Sequence, residues 1–351
     1  MTMEILQPGV GPIRSSIYLP ADPAVVLWGR LPCATDSPVL TIDSGADVTI
    51  DTISHEGILE DQGRDPRAFF AGFGATEVLD DAVALAASAH DRADGGPHVV
   101  TGPIRVRGAR PGDLLKMTVI ETLPRVPYGV VSNRHGRGAL PAEYPVSGAV
   151  VSVFAAVDGE HGTMPRVLGG PHDVRFALHP FLGVMGVAVA GNVRPHSVPP
   201  GPHGGNIDIN LLTTGASLYL PVQVDGALAY VGDPHFAQGD GEVALTAMEA
   251  SLRATLRFEV IAHEDAIAAF GNLVGPLAET SEFLVPTGMN EDLDLAVQDC
   301  VRAAITLLQA RFGMDAEHAY AYLSAATDFN ISQVVDLIKG AHARIRKADF
   351  A

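Results

Sequence analysis

Asp233 and His235 stand two residues apart in Gly232-Asp-Pro-His-Phe. On an extended chain such a pair leaves from one face, so a carboxylate and an imidazole reach toward one point. Together they suit zinc or a similar divalent ion. Gln238, Asp240 and Glu242 continue the even-numbered register, although Gly239 and Gly241 favour a folded loop. Upstream, Asn206, Asp208 and Asn210 share a face, and Gly204-Gly205 lets the backbone approach a neighbour closely. The expected metal ligands are Asp208, Asp233 and His235. Glu242, Glu56 and His203 are the expected catalytic groups, and His55, Asn206 and Gln238 the expected substrate contacts. The chemistry implied is a water activated by a divalent metal, Zn2+ first, with a carboxylate as base; Ca2+ is admitted at a second site. There is no Gly-x-Ser-x-Gly elbow to supply a serine nucleophile instead.

Positioning these groups is a matter of strands. Residues 216–224 and 227–231 are β-compatible runs separated by Asp225-Gly226, a dipeptide suited to a tight hairpin. A plain meander through 206–212, 216–224 and 227–235 would leave Asp208 roughly 15 Å from His235, at about 3.3 Å per residue. Either the topology is not a meander, then, or the two polar knots do different jobs. His55 and Glu56 follow the strand-like 48–53 and would point to opposite faces unless the chain turns at Gly57.

The composition bounds the rest. The chain has 351 residues, 47% of them hydrophobic but only 6% aromatic, with 37 Gly and 25 Pro, a profile of many short strands and turns. The fold expected is mainly β: a jelly-roll-like β-sandwich with an inserted small β unit and a C-terminal helical or α+β segment. The expected divisions are an N-terminal sandwich portion at 1–123, the inserted unit at 124–200, a β-rich core carrying the site at 201–285 and the helical segment at 286–351. Strands are expected over Val99–Val106 and 114–123, and helices capped at Asn290-Glu-Asp292, from Asp315 and over 331–338. Asn133, Arg134 and His135 are candidates for a rim over the site.

A formal net charge of −18 disfavours nucleic acid and anionic membrane surfaces as partners. Only Cys33 and Cys300 occur, no stretch reads as a secretory signal and no run is apolar enough to span a bilayer, so a cytoplasmic protein is expected.

The stretch Pro200-Gly-Pro-His-Gly-Gly-Asn-Ile-Asp208, followed by Leu220-Pro-Val, Gly226-Ala-Leu, Gly232-Asp-Pro-His, Gln238-Gly-Asp-Gly-Glu and Ala247-Met-Glu, resembles the signature of the acetamidase/formamidase family. Thr101-Gly-Pro-Ile, His179-Pro-Phe-Leu-Gly-Val-Met-Gly, Pro286-Thr-Gly-Met-Asn and Leu323-Ser-Ala-Ala-Thr-Asp-Phe-Asn-Ile-Ser-Gln-Val-Val-Asp extend the likeness along nearly the whole chain. It implies a β-rich homo-oligomer that hydrolyses small linear amides, releasing ammonia and a short carboxylate. Residues 57–74 lie in a segment that varies in the family and leave the particular amide open. The competing readings are a non-enzymatic β-sandwich that binds a metal or ligand, and a metal-dependent lyase or isomerase.

Overall fold

The computed structural model describes residues 4–90, 92 and 94–350. Among them two large sheets face each other, one of nine strands and one of eleven. Val48, Ile50, Leu218, Leu256 and Phe258 of the first sheet share one buried cluster with Val99, Ile104, Leu182 and Val231 of the second. Fully burying side chains of this size stabilises by about 1.5–3 kcal/mol each, so the apposed faces dominate the fold's stability.

The first sheet runs from Tyr18–Leu19 at one edge through Ala46–Asp51, Leu252–Ile261, Leu114–Pro124 and Ser217–Pro221. It continues through Leu277–Glu279, Phe283–Asn290 and Lys339–Arg346 to Asp328–Gln333. Helices His263–Phe270, Leu293–Phe312 and Ala316–Ala326 cover its outer face, seating Phe270, Ala304, Leu307 and Leu308 on Leu277, Leu284 and Ile345. The sequence's stop and start signals hold here. Asp292 caps the long helix by accepting from the amides of Asp294 and Leu295, Gly313 ends it at φ 65°, and Asp315 caps its successor.

In the second sheet Phe181–Gly186 lies between Gly204–Asn206 and Ala229–Ala237, and Val99–Val106 pairs with the latter. The strands from Tyr128–Arg134 to Val174–Ala177 extend this same sheet as a meander, so 124–200 adds to the sandwich without closing a sheet of its own.

Two local expectations are corrected. Asp225-Gly226 does not join a hairpin: Ser217–Pro221 belongs to the first sheet and Ala229–Ala237 to the second, so the chain crosses between layers there. Both strands are almost wholly buried, which is why they read as continuous apolar runs in place of a two-sided alternation. Residues 331–338 are not a helix. Asp328–Gln333 and Lys339–Arg346 form an antiparallel pair, and Asp336 and Leu337 between them have φ of 63° and 67°. No helix among the described residues is long and apolar enough to cross a membrane.

Candidate active site

Because Phe181–Gly186 is flanked by the strands of both polar knots, Asp208 and Asp233 meet across it. Asp208 follows Gly204–Asn206 and donates its backbone N–H to the Gly183 carbonyl. A Cβ on Gly183 would sit 2.5 Å from Asp208 Oδ1, 2.6 Å from His235 Cε1 and 2.9 Å from Asp233 Oδ2. Only glycine leaves room for that meeting. The Gly204-Gly205 pair serves the same end, with φ of 80° and 82° and backbone pressed against Met185. Asp208, Asp233 and Glu242 themselves have φ of 43°, 48° and 47°, a left-handed conformation that non-glycine residues adopt at a cost and that clusters at functional sites.

Among the described residues three donor sets result, each with ligand atoms within 4.8 Å of one another: His55, His98 and Asp233; Asp233, His235 and Glu249; and Asp208, His235 and Glu242. The first faces a cavity of about 670 Å³ whose walls include Asn206, Glu242, Glu249 and Asp336. Its two imidazoles are held from behind. His98 Nδ1 lies 3.1 Å from the Ser197 carbonyl, an N–H···O arrangement that leaves the Nε2 lone pair free on the side of Asp233 Oδ2, 3.8 Å away. His55 Nε2 lies 3.4 Å from Glu56 Oε1, and its Nδ1 faces Asp233 Oδ1 at 3.3 Å. Glu56 is fixed in turn by Ser132, Gln62 and Arg134. A carboxylate or carbonyl behind each ligating histidine is the arrangement that fixes tautomer and ring orientation at a metal.

The electrostatics are those of a site short of positive charge. Burial pushes Glu249 up to about 7, with Asp233 adding to the rise. Burial likewise lifts Asp336 to about 7, helped by Asp233 and Glu249. Asp208 and Glu242 are raised well above the carboxylate range by burial and by each other's neighbours. Burial works against charge on His55, yet Glu249, Asp233 and Glu56 outweigh it and hold the imidazole at about 10, so a bound cation would have to displace its proton. Burial opposes ionised Asp233 too, but the facing histidines draw it well below the usual range. Burial takes His98 down to about 4, which keeps it neutral as a ligand must be. His55 Nδ1, Asp233 Oδ1, both Asp208 oxygens, His235 Nδ1, Glu242 Oε2 and Glu249 Oε2 are buried without a hydrogen-bond partner. Buried polar atoms are rarely left so, and the donor set fits a divalent cation.

Asp233, His235, Asp208, Glu242, His55 and Asn206 are therefore brought together, with Glu56 behind His55 because the chain does turn at Gly57, φ 86°. His203 and Gln238 lie outside the cavity wall. His203 is buried, and burial lowers it to about 4. Gln238 donates to the backbone carbonyls of Asp208 and Ser332, tying one knot to the other. Arg134 does reach the cavity, paired with Glu56 and Asp61, whereas Asn133 and His135 do not line it. Cys300 is a buried thiol pushed up to about 12 by burial, far from a nucleophile's range. His98, Glu249 and Asp336 were not foreseen in site roles. Each stands in a matched segment, beside Thr101-Gly-Pro-Ile, at the end of Ala247-Met-Glu and after Gln333-Val-Val, and that adjacency was the available signal.

Taken together, the structure is that of a mainly β protein in which buried imidazole and carboxylate groups that could hold a metal ion open on a cavity. More particularly, the chain belongs to the acetamidase/formamidase family, whose model matches residues 76–197 and 190–345. It is 30% identical over 199 residues to an acetamidase of Mycolicibacterium smegmatis, covering 42% of this chain and 49% of that protein. To a formamidase of Methylophilus methylotrophus it is 27% identical over 314 residues, covering 68% of this chain and 74% of that one. The chain spans 52% and 49% of the length of two curated relatives it matches, about half in each case. The crystal structure of an acetamidase from Bacillus halodurans superposes with a TM-score of 0.74 at 26% identity, over 95% of this chain and 98% of that chain.

Proposed function

We propose that this chain hydrolyses linear amides to ammonia and a carboxylate with the help of a divalent metal, zinc by the donor set. The observation that carries the reading is His55, His98 and Asp233 converging at the cavity, each imidazole backed by its own hydrogen-bonding partner. Two histidines and a carboxylate are a catalytic zinc set, and such an ion when bound lowers the pKa of water and polarises a carbonyl. Glu249 is the general base in this reading, in preference to Glu242 and Glu56. Its carboxyl lies beside the triad at about 7, poised to take a proton from the attacking water and return it to the departing nitrogen. The new C–O bond forms as the C–N bond breaks, and the transferred proton completes ammonia. Asn206 Oδ1, buried at the cavity wall without a partner, accepts an amide N–H, and Asp336 beside it holds the Asn206 side chain through Nδ2 at 3.1 Å.

Formamidase and acetamidase relatives support small amides as substrates. The cavity, about 670 Å³, falls within the roughly 300–1,000 Å³ that accommodates drug-sized ligands, so amides longer than acetamide also fit. The two free, buried cysteines support a reducing, cytoplasmic setting, and we assign a homo-oligomer. The test is ammonia release from formamide, acetamide and longer amides, before and after chelation. Turnover should vanish with chelator and return with Zn2+, and Glu249→Gln should lower kcat by about 10²–10⁴. A metal-loaded protein that turns over none of them would leave the metal-binding sandwich as the better reading.

A further inference from the structure

The cavity wall is not polar throughout: Leu59, Pro97, Val198, Leu245 and Leu337 line it together with the polar groups. Leu337 is 65% exposed, on the turn 334–338 between the strands Asp328–Gln333 and Lys339–Arg346. Its backbone stands at φ 67° and that of Leu245 at 105°, a conformation that strains an L side chain and ordinarily selects Gly, Asn or Asp. An exposed leucine there costs twice, once in backbone and once in apolar surface left to water. The turn is nevertheless held in place. Asp336, beside Leu337, accepts from Asn206 Nδ2 at 3.1 Å and from Gln333 Nε2 at 3.2 Å, which pins the turn at the cavity. Backbone strain that the surroundings maintain in this way clusters at ligand clamps.

We propose that Leu337 and Leu245 clamp the acyl chain of the substrate, and that the amides this chain prefers carry aliphatic acyl groups several carbons longer than acetyl. The inference rests on the hydrolytic reading for its chemistry and adds the part of the substrate that the donor groups do not touch. A water takes roughly 30 Å³ of liquid, so a four-heavy-atom amide such as acetamide would leave most of the 670 Å³ cavity to solvent. An aliphatic chain laid on the leucines removes their apolar surface from water, a gain closed to formamide and acetamide. The arginines beside the apolar wall do not call for a charged tail, because Arg92 is paired with Glu60, and Arg134 with Glu56 and Asp61.

For the metal-loaded full chain, kcat/KM should rise by about two- to fourfold with each methylene added between acetamide and hexanamide, the scale of burying one CH2. Leu337→Asn suits the left-handed backbone and should cut the hexanamide-to-acetamide ratio of kcat/KM by about tenfold, and Leu245→Gly, equally at home at its φ, should cut it further. A series that is flat or falls beyond acetamide overturns the proposal, as does a preference for the six-carbon monoamide that ends in a carboxylate, or a ratio unmoved by Leu337→Asn. The wild-type series decides even where a variant does not fold. Titration calorimetry with hexanamide and acetamide reads the apolar contact without chemistry, on the wild-type chain if it turns over neither and on the Glu249→Gln chain if it does. Tighter binding of hexanamide by a chain that releases ammonia from no amide would sink the hydrolase reading and leave the clamp standing. Ammonia release from acetamide with a flat series would do the reverse.

Discussion

Gly183 carries the sharpest residue-level consequence, because a single methyl there would overlap three side chains of the site at once. Neighbours of this kind cannot yield cheaply: Asp208, Asp233 and His235 are buried, and two of them already occupy left-handed backbone. Gly183→Ala is therefore expected to fold, since the strand itself tolerates alanine, but to lose bound metal and at least about 100-fold in kcat, the scale of misplacing reacting groups by about 1 Å. Elemental analysis beside a rate measurement checks it, and a metal-loaded, active Gly183→Ala protein would refute the packing account. The same residues show what the sequence could reveal about the site. Asp233 and His235 were legible because period-two spacing puts both on one face. His98 was not, since it stands alone ahead of its strand and gains a purpose only through Ser197, 99 positions away. Asp336 was hidden by Ile331, Val334, Val335 and Ile338, whose spacing imitates a helix while the backbone turns through two left-handed residues.

Among the elements, a buried ion pair ties two strands of the first sheet to the N-terminal segment. Arg253, on Leu252–Ile261, makes two hydrogen bonds to Asp51 of Ala46–Asp51, at 2.6 and 3.0 Å, and donates to the carbonyls of Gln7, Val10 and Pro12. Removing Arg253 leaves the buried Asp51 carboxylate with only Arg125, 3.5 Å away, and the Tyr18 hydroxyl, so Arg253→Ala should destabilise by about 3 kcal/mol, seen in urea unfolding, and should free residues 7–12 to exchange and proteolysis first. A loss below about 1 kcal/mol would mean the N-terminal segment is held by something else. Further across the same sheet, burial opposes ionised Glu279, but hydrogen bonds from Lys347 and then Tyr219, the latter at 2.6 Å, hold its carboxyl below the ordinary value of 4.5. A depressed carboxylate contributes stability above its unfolded pKa and loses it as pH falls through the folded one. Glu279→Gln should thus lower Tm at pH 7, with the gap to wild type closing as pH falls through the depressed value of the folded carboxyl, and a gap independent of pH would exclude the linkage. Strands such as Val99–Val106 and the capped helices were readable because their signals are local. Which sheet each strand joined was not, because pairing between Ser217–Pro221 and Leu114–Pro124 spans about a hundred residues and leaves no mark in either.

For the whole molecule the question is association. A charge of −18 on 351 residues makes copies repel, which falls off once salt shortens the range of the field to about 8 Å at physiological ionic strength. Against that, Leu140, Tyr144, Val146, Val151, Val167 and Leu168 are all exposed, and all belong to the meander that extends one side of the second sheet. Exposed apolar residues concentrated in one region mark a surface that is covered in use. If copies of the chain cover it, self-association is apolar in origin and strengthens with salt, because screening removes the repulsion while burial is untouched. Sedimentation velocity should then show a species larger than the 36.7 kDa chain whose share grows from low salt to about 0.5 M. Val146→Asp with Leu168→Asp should return it to a single chain without loss of bound metal, because neither residue lines the cavity. A wild-type protein that sediments as one chain at every salt concentration would remove the homo-oligomer from the description, and an oligomer indifferent to the double substitution would move its interface to another face.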